Sequence, residues 1–530
     1  MTAVEDLRQT VVAVGNRWPS AGLAVAVVRD GTLDGFIGQG VADVDSNIPI
    51  TADTVFRIGS ITKTFTAVAV MQLWEQGLID LDAPAEDYLR TFRLVPRPGV
   101  SMPTLRHLLT HTAGLGYWRR LSDVLRPGVG SGDVARGPVQ PLAEYSRDGL
   151  PVEVEPGTKW NYSNHGIAAL GQIVEDVTGE PIGLYLRDHV LEPLAMDHTD
   201  LERSDRVRSA LATGYALKAK GLRAVVDREV PLPAAGGMYS TPADLARYVG
   251  ALLNGGTGER GVVLKPETVA NMFWAHHLPD PRLPGMGLTF MLDDVRGHRT
   301  ASHGGVVSGF LSAISLAPDD GVGVVVLANT GTLMGRGAPD PLAGALLRQL
   351  LGVPDDPIRH DVPQHPEVWG ELRGWYGMPP GPLTNMFFRL VMGAGVEVKV
   401  RKDHLLLQPL TPLPPMRDGV RLAPDDPTDP YAFRVDFSAM GLGDLRAVFA
   451  SDIRGGPPRR LLFDGMAFEK RHPLRNPRLW VRTIAAGATA ATATAAATRI
   501  RRSPTMSPNA RRAPLPRQRS TLQSMREGLR

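Results

Sequence analysis

Residues 57–82, RIGSITKTFTAVAVMQLWEQGLIDLD, place Ser60 and Lys63 three apart at the head of a run whose apolar residues recur at helical spacing. If residues 61–78 are helical, positions three apart share one face and the two side-chain heads lie within hydrogen-bond reach. Ser60 then sits at the helix N-terminus, where unpaired N–H groups and the positive dipole end favour developing negative charge. A serine hydroxyl is a weak nucleophile until a neighbour takes its proton. A buried Lys63, its ammonium disfavoured by desolvation and by the same dipole, can accept that proton or hold a second base ionised. The competing reading is a capped core helix, since Ser is a common N-cap and Lys a common surface residue. S-x-x-K alone leaves both open.

At 530 residues the chain is too long for one ordinary core, so two or three domains are expected. An apolar fraction of 43% and a mean hydropathy of −0.09 describe a soluble globular protein. There is no cysteine, which excludes disulfides, thiolate zinc sites, iron–sulfur clusters and a Cys nucleophile. The start, MTAVEDLRQTVVAVGNRW, has early acidic residues and no long apolar core, so a secretory signal is not expected and cytoplasmic residence is. Residues 499–530 hold nine arginines against Glu527, a charge of +8, so the +3 of the whole chain leaves −5 for residues 1–498. The basic balance therefore belongs to the tail and does not make the body a nucleic-acid binder.

Residues 23–45 contain two apolar runs around an Asp30-Gly31 turn signal and are expected to form a β-hairpin. Helical periodicity follows at 61–78, 104–113, 164–178 and 242–253, the last introduced by Ser240-Thr241-Pro242-Ala243-Asp244, which offers an N-cap, a first-turn Pro and an early acid. Strand-like runs return at 301–316 and 322–329, joined by a turn-like PDDG. Strands at both ends with helices between imply one α/β domain over residues 1–352, its sheet closed by distant parts of the chain. The Gly/Pro-rich stretch 119–141 reads as a surface loop or lid. Residues 353–366 read as a linker, and short strand-like runs between turns make 367–472 a β-rich C-terminal module. The remainder, 473–530, is an Ala/Thr-rich and Arg-rich tail expected to be disordered. Its 16-residue stretch 483–498 is short of a membrane span, which leaves weak peripheral contact with anionic lipid through the arginines as a lesser reading.

Two further stretches bear on Ser60. EPGTKWNYSNHG carries Tyr162-Ser163-Asn164 after a Pro-Gly turn and just before a helical pattern, where a loop can present a phenol and an amide to a cleft. ASHGGVVSGF places His303-Gly304-Gly305 ahead of an apolar run, where glycines permit close backbone approach.

Taken together, S-x-x-K at Ser60–Lys63, Y-x-N at Tyr162–Asn164 and H-x-G at His303–Gly305 resemble the serine β-lactamase-like and penicillin-binding proteins, in particular the branch of class C β-lactamases, D-aminopeptidases and family VIII esterases. The stretches LRHLLTHTAGL, PGTKWNYSN and AAGGMYSTPADLARY read like the same branch, and the likeness covers about residues 10–350. The resemblance implies an antiparallel sheet flanked by helices with a helical subdomain. It also implies acylation of Ser60, with Lys63 and Tyr162 as the general-base apparatus and no cofactor or metal. Asn164, His303, Gly304 and Gly305 would contact a small acyl substrate, and the backbone N–H groups of Ser60 and Val306 would form the oxyanion hole. Which of Lys63 and Tyr162 takes the proton stays open, because the two are coupled.

The family generally places Lys where His303 stands, facing a substrate carboxylate. A neutral imidazole is a weaker partner for that charge, which favours an esterase or amidase on uncharged acyl groups over a β-lactamase or D-amino-acid-specific peptidase. A catalytically silent ligand sensor is the alternative from another class, and the oligomeric state stays open. His107 and His111, spaced i,i+4, could pair on a metal but lack an H-E-x-x-H context, so a structural helix behind the site is expected of them. No G-x-S-x-G surrounds any serine, and no P-loop occurs.

Overall fold

The run Leu23–Val28 is apolar at every position because the strand it forms is covered on both faces. Leu23, Val25 and Val27 pack toward one core, while Ala24, Ala26 and Val28 pack toward another. The computed structural model describes residues 3–120, 140–331, 337–379 and, with short interruptions, 381–478. Most of the loop expected at 119–141, and the Ala/Thr- and Arg-rich stretches at 483–530, lie outside these described residues.

Strands β1 (Gly22–Arg29), β2 (Thr32–Asp43) and β3 (Ile48–Pro49) join β4 (Gly285–Met286), β5 (Met291–Val295), β6 (His298–Val307), β7 (Phe310–Ala317) and β8 (Val322–Ala328) in one sheet. Its order is β4-β5-β6-β7-β8-β1-β2-β3, with every neighbouring pair antiparallel. The early hairpin is thus closed by strands nearly 300 residues later, Leu23 facing Ala328. Asp30 and Gly31 both have positive φ, 48° and 78°, which suits a tight hairpin turn. The strand-like run at 301–316 resolves into the β6–β7 hairpin, turning at Gly309 with φ 84°.

Helices α1 (Ala3–Arg17) and α6 (Pro339–Leu350) cover one face of the sheet, through Leu7 and Val11 of the first and Leu342 and Leu346 of the second. On the other face lie α2 (Thr62–Glu75), α3 (Leu105–Leu109), α4 (Asn164–Thr178) and α5 (Pro242–Leu253). Helix α4 starts on a Ser163 cap and ends at Gly179 with φ 77°, and α5 starts on Thr241, whose hydroxyl accepts from Asp244 N at 3.0 Å. Helix α3 is shorter than the expected 104–113. Its chain leaves the helix at Thr110, and His111 takes φ 57°. Helix α2 is buried from Thr62 to Leu73, and its hydroxyls are paired, Thr62 to Gly59 O at 2.7 Å and Thr66 to Ala234 O at 2.7 Å. Among the described residues no helix is long and apolar enough to cross a membrane.

The C-terminal β-rich segment closes into an eight-stranded antiparallel barrel, β9 (Gly374–Gly377) through β16 (Met466–Arg471), with Trp375 facing Arg471 across the seam. Phe433, Phe437, Phe449, Phe463 and Phe468 fill its interior. The barrel meets the preceding residues through a small apolar cluster, Leu283 with Val448, Ala450 and Leu462, and through ion pairs. Arg282 reaches Asp429 at 2.9 Å, Arg446 reaches Asp293 at 2.9 Å, and Lys159 reaches Glu469 at 3.3 Å.

Candidate active site

Ser60 lies in a single 3-10 turn, Gly59–Ile61, that feeds directly into α2. Gly59 has φ 50°, and a Cβ there would lie 2.8 Å from Val306 N, so only glycine lets this turn approach β6 so closely. Gly305 makes the reciprocal approach. A Cβ on it would stand 2.1 Å from both Ile58 O and Ser312 Oγ, and Ser312 itself donates to Ile58 O at 2.8 Å. The two glycines therefore bring the backbone of Val306 against the serine turn. Gly304, on the opposite face of β6, lies against the Asp340 carboxylate. Both Gly304 and Gly305 thus meet protein atoms in this structure. The β6 edge that carries His303–Val307 has no strand partner opposite β7 among the described residues.

Lys63, three residues on, is fully buried, and its Nζ lies 2.9 Å from Ser60 Oγ. The same Nζ donates to the Ala235 carbonyl and sits 5.0 Å from the centroid of the Tyr162 ring. The Tyr162 phenol is hydrogen-bonded to the Ser60 hydroxyl. Among the described residues no carboxylate pairs with Lys63, and desolvation holds its pKa well below the usual lysine range. Burial moves the phenol the other way, and Tyr162 is raised above the ordinary tyrosine range. The amine is thus the group that is readily neutral, while the phenol keeps its proton.

His303 extends from β6 toward this group, its ring 6.5 Å from that of Tyr162. Its Nδ1 is 2.7 Å from the Gly304 carbonyl, an arrangement that requires Nδ1 to carry the proton and leaves Nε2 as the acceptor; Nε2 is buried and has no hydrogen-bond partner. Burial, with Lys63 beside it, pushes the imidazole down to about 3. Asn164 is the first residue of α4, 6% exposed and two positions past Tyr162.

The structure therefore gathers Ser60, Lys63, Tyr162, His303 and the Val306 backbone at one place, and it adds a residue that sequence reasoning put elsewhere. His111, expected as part of a structural helix behind the site, lies past the end of α3 with its ring 4.4 Å from that of Tyr162. The signal for it was its place in LRHLLTHTAGL, a stretch read as a structural helix behind the site. His107 caps α3 through Thr104, and no group of three or more His, Asp and Glu among the described residues is placed to hold a metal. His276 is partly buried and lies 2.9 Å from Arg106 Nη1.

A cavity of about 1070 Å³ is lined by Arg57, Ala168, Gly171, Ala234 and Tyr239 but not by Ser60. The turn Pro233–Gly237 borders it and also supplies the carbonyl that Lys63 meets.

The chain is 32% identical over 357 residues to Esterase EstB of Burkholderia gladioli, covering 61% of this chain and 89% of that one. It is 28% identical over 365 residues to Penicillin-binding protein 4 of Amycolatopsis lactamdurans, covering 64% and 91%. The solved octameric penicillin-binding protein homologue from Pyrococcus abyssi superposes with a TM-score of 0.56 at 24% identity, over 88% of this chain and all of that one, so the likeness of fold extends past the sheet domain into the barrel. Residues 8–349 match the model of the Beta-lactamase family, and the chain is a hydrolase-type member of that family.

Proposed function

We propose that the protein is a serine hydrolase that forms a covalent acyl-enzyme at Ser60, acting as an esterase or amidase on small uncharged acyl substrates. The observation that carries this reading is the fully buried Lys63 amine 2.9 Å from Ser60 Oγ. A neutral amine takes the hydroxyl proton as Oγ bonds to the substrate carbonyl carbon, and the carbonyl electron pair moves onto oxygen. The N–H groups of Ser60 and Val306 receive that oxyanion, donors of a kind worth about 3 kcal/mol each. Collapse breaks the bond to the leaving group, which departs with the proton returned from Lys63 through Tyr162. Water then repeats the sequence on the acyl-enzyme.

Preference for uncharged acyl groups rests on His303, a neutral imidazole where a lysine would pair with a substrate carboxylate. The relative named an esterase supports the same reading. The relative named a penicillin-binding protein supports the alternative, a β-lactamase or D-amino-acid-specific peptidase. A panel of nitrophenyl esters, amino-acid amides and a chromogenic cephalosporin, run on wild type, Ser60→Ala and His303→Lys, separates them. Esters turned over best by wild type, with carboxylate-bearing substrates gaining in His303→Lys, is the expected pattern. Cephalosporin turned over best by wild type reverses the preference, and wild-type inactivity on the whole panel favours a ligand sensor.

A further inference from the structure

His111 touches each residue of the segment that presents the Tyr162 phenol. Its carbonyl accepts from Asn161 N at 2.7 Å, its Nδ1 accepts from Ser163 N at 3.3 Å, and its ring packs on Tyr162 between them. These three contacts need an unusual backbone. His111 is a non-glycine residue at φ 57°, a strained conformation that persists only where surrounding contacts hold it. The residue is 1% exposed, and its ring meets that of Trp160 edge-on at 6.2 Å.

The hydrogen bond also fixes the state of the ring. A backbone N–H can only donate, so Nδ1 carries no proton and the neutral tautomer has its hydrogen on Nε2. That Nε2 is buried without a partner. The charged and titratable groups facing the ring are Lys63 and His303, with the Tyr162 phenol on its face; burial first, and those two groups to a lesser degree, disfavour a second proton on it. A buried, neutral imidazole with one ring nitrogen spent on holding a backbone N–H and the other unpaired is costly as packing alone.

We propose that His111 is a positioning residue for the acyl-transfer step: through its Nδ1 and carbonyl it clamps Asn161 and Ser163, and so holds Tyr162, the residue between them on which its ring packs, toward Ser60. The proposal rests on the reading of Tyr162 as the partner of Ser60 in proton transfer. His111 touches neither the nucleophile nor its amine in any hydrogen bond among the described residues, so its effect runs through Tyr162.

Two variants divide its contributions. His111→Phe keeps a ring and removes the acceptor. His111→Asn keeps an acceptor oxygen the same number of bonds from Cα, on a residue that tolerates positive φ, and removes the ring. With a nitrophenyl ester, His111→Phe is expected to lower kcat by about tenfold or more with KM within about threefold, and His111→Asn to recover most of that loss. In a Tyr162→Phe background the same His111→Phe change is expected to cost less than about twofold, because the residue it positions has lost its phenol.

Three results overturn the proposal. One is wild-type kcat in His111→Phe. Another is an equal fold-loss in both backgrounds. A third, which needs no variant to fold, is an imidazole ¹⁵N spectrum of the intact protein that shows the His111 proton on Nδ1. Wild-type activity in Tyr162→Phe overturns the reading of Tyr162 itself, whereas an impaired Tyr162→Phe beside an unimpaired His111→Phe overturns only the role of His111.

Discussion

The barrel and the surroundings of α2 bury different things. Inside the barrel the enclosed side chains are aromatic or aliphatic, and its Tyr376 hydroxyl donates to Leu372 O at 2.8 Å. Around α2 the buried set includes a lysine and two histidines, Lys63, His111 and His303, with both imidazoles leaving Nε2 unpaired. Burying a polar group without a partner costs of order 1–3 kcal/mol, so a fold keeps such groups where something other than stability selects them. The difference separates a region built to hold shape from one built to hold reactive groups near neutrality.

The largest effect expected on that comparison comes from Lys63. Lys63→Met should lower kcat/KM by about 10³-fold, and Lys63→Arg should not restore it, because a guanidinium cannot give up its proton to serve as a base. Ester hydrolysis and thermal unfolding on the same samples check this, and an active Lys63→Arg enzyme would remove Lys63 as the base. Next, Phe449→Ala in the barrel, where Phe449 packs at 5.7 Å from Tyr376 and 5.6 Å from Phe433, should cost about 3–5 kcal/mol of stability with kcat of the folded fraction unchanged. A fall in kcat with stability intact would mean that the barrel interior takes part in the chemistry.

A third effect appears in the pH dependence of stability. An unfolded histidine titrates near 6.5 and His303 in the fold at about 3, so between those values the unfolded chain holds the extra proton. Stability is thus lost as pH falls from 6.5 toward 3, by about 5 kcal/mol for a shift of that size. Denaturant titrations should show a shallower acid loss for His303→Gln than for wild type; parallel curves would mean that His303 accepts a proton without penalty. The smallest effect belongs to the contact between the regions. The Lys159–Glu469 pair is 22% and 33% exposed, so Glu469→Gln should change stability by less than about 1 kcal/mol. A larger loss would make the barrel a structural part of the loop that carries Tyr162.

Much of this was legible before any coordinates. The S-x-x-K, Y-x-N and H-x-G residues were found from their types and order, and helices 164–178 and 242–253 from caps and turn residues that act locally. The sheet's apolar runs marked its strands, but the β6–β7 turn lay hidden within 301–316, since Val-Ser-Gly-Phe interrupts an apolar stretch only briefly. Barrel closure depends on pairing residues 375–377 with 469–471, a contact that no local pattern encodes. His111 was out of reach for a related reason: its role depends on a positive φ just past a short helix and on a loop 50 residues away. Gly304 and Gly305 were identified as close-approach residues, yet sequence could not say that the approaching atoms are the protein's own.

The central claim is that Ser60 becomes acylated. Trypsin cleavage after Arg57 and Lys63 releases the nucleophile in the hexapeptide Ile58–Lys63, IGSITK, so a fluorophosphonate or a slow nitrophenyl ester followed by peptide mass mapping reads the site directly. The account requires the adduct mass on IGSITK in wild type and its disappearance, together with ester turnover, in Ser60→Ala. An adduct on any other peptide, or turnover that survives in Ser60→Ala, contradicts it.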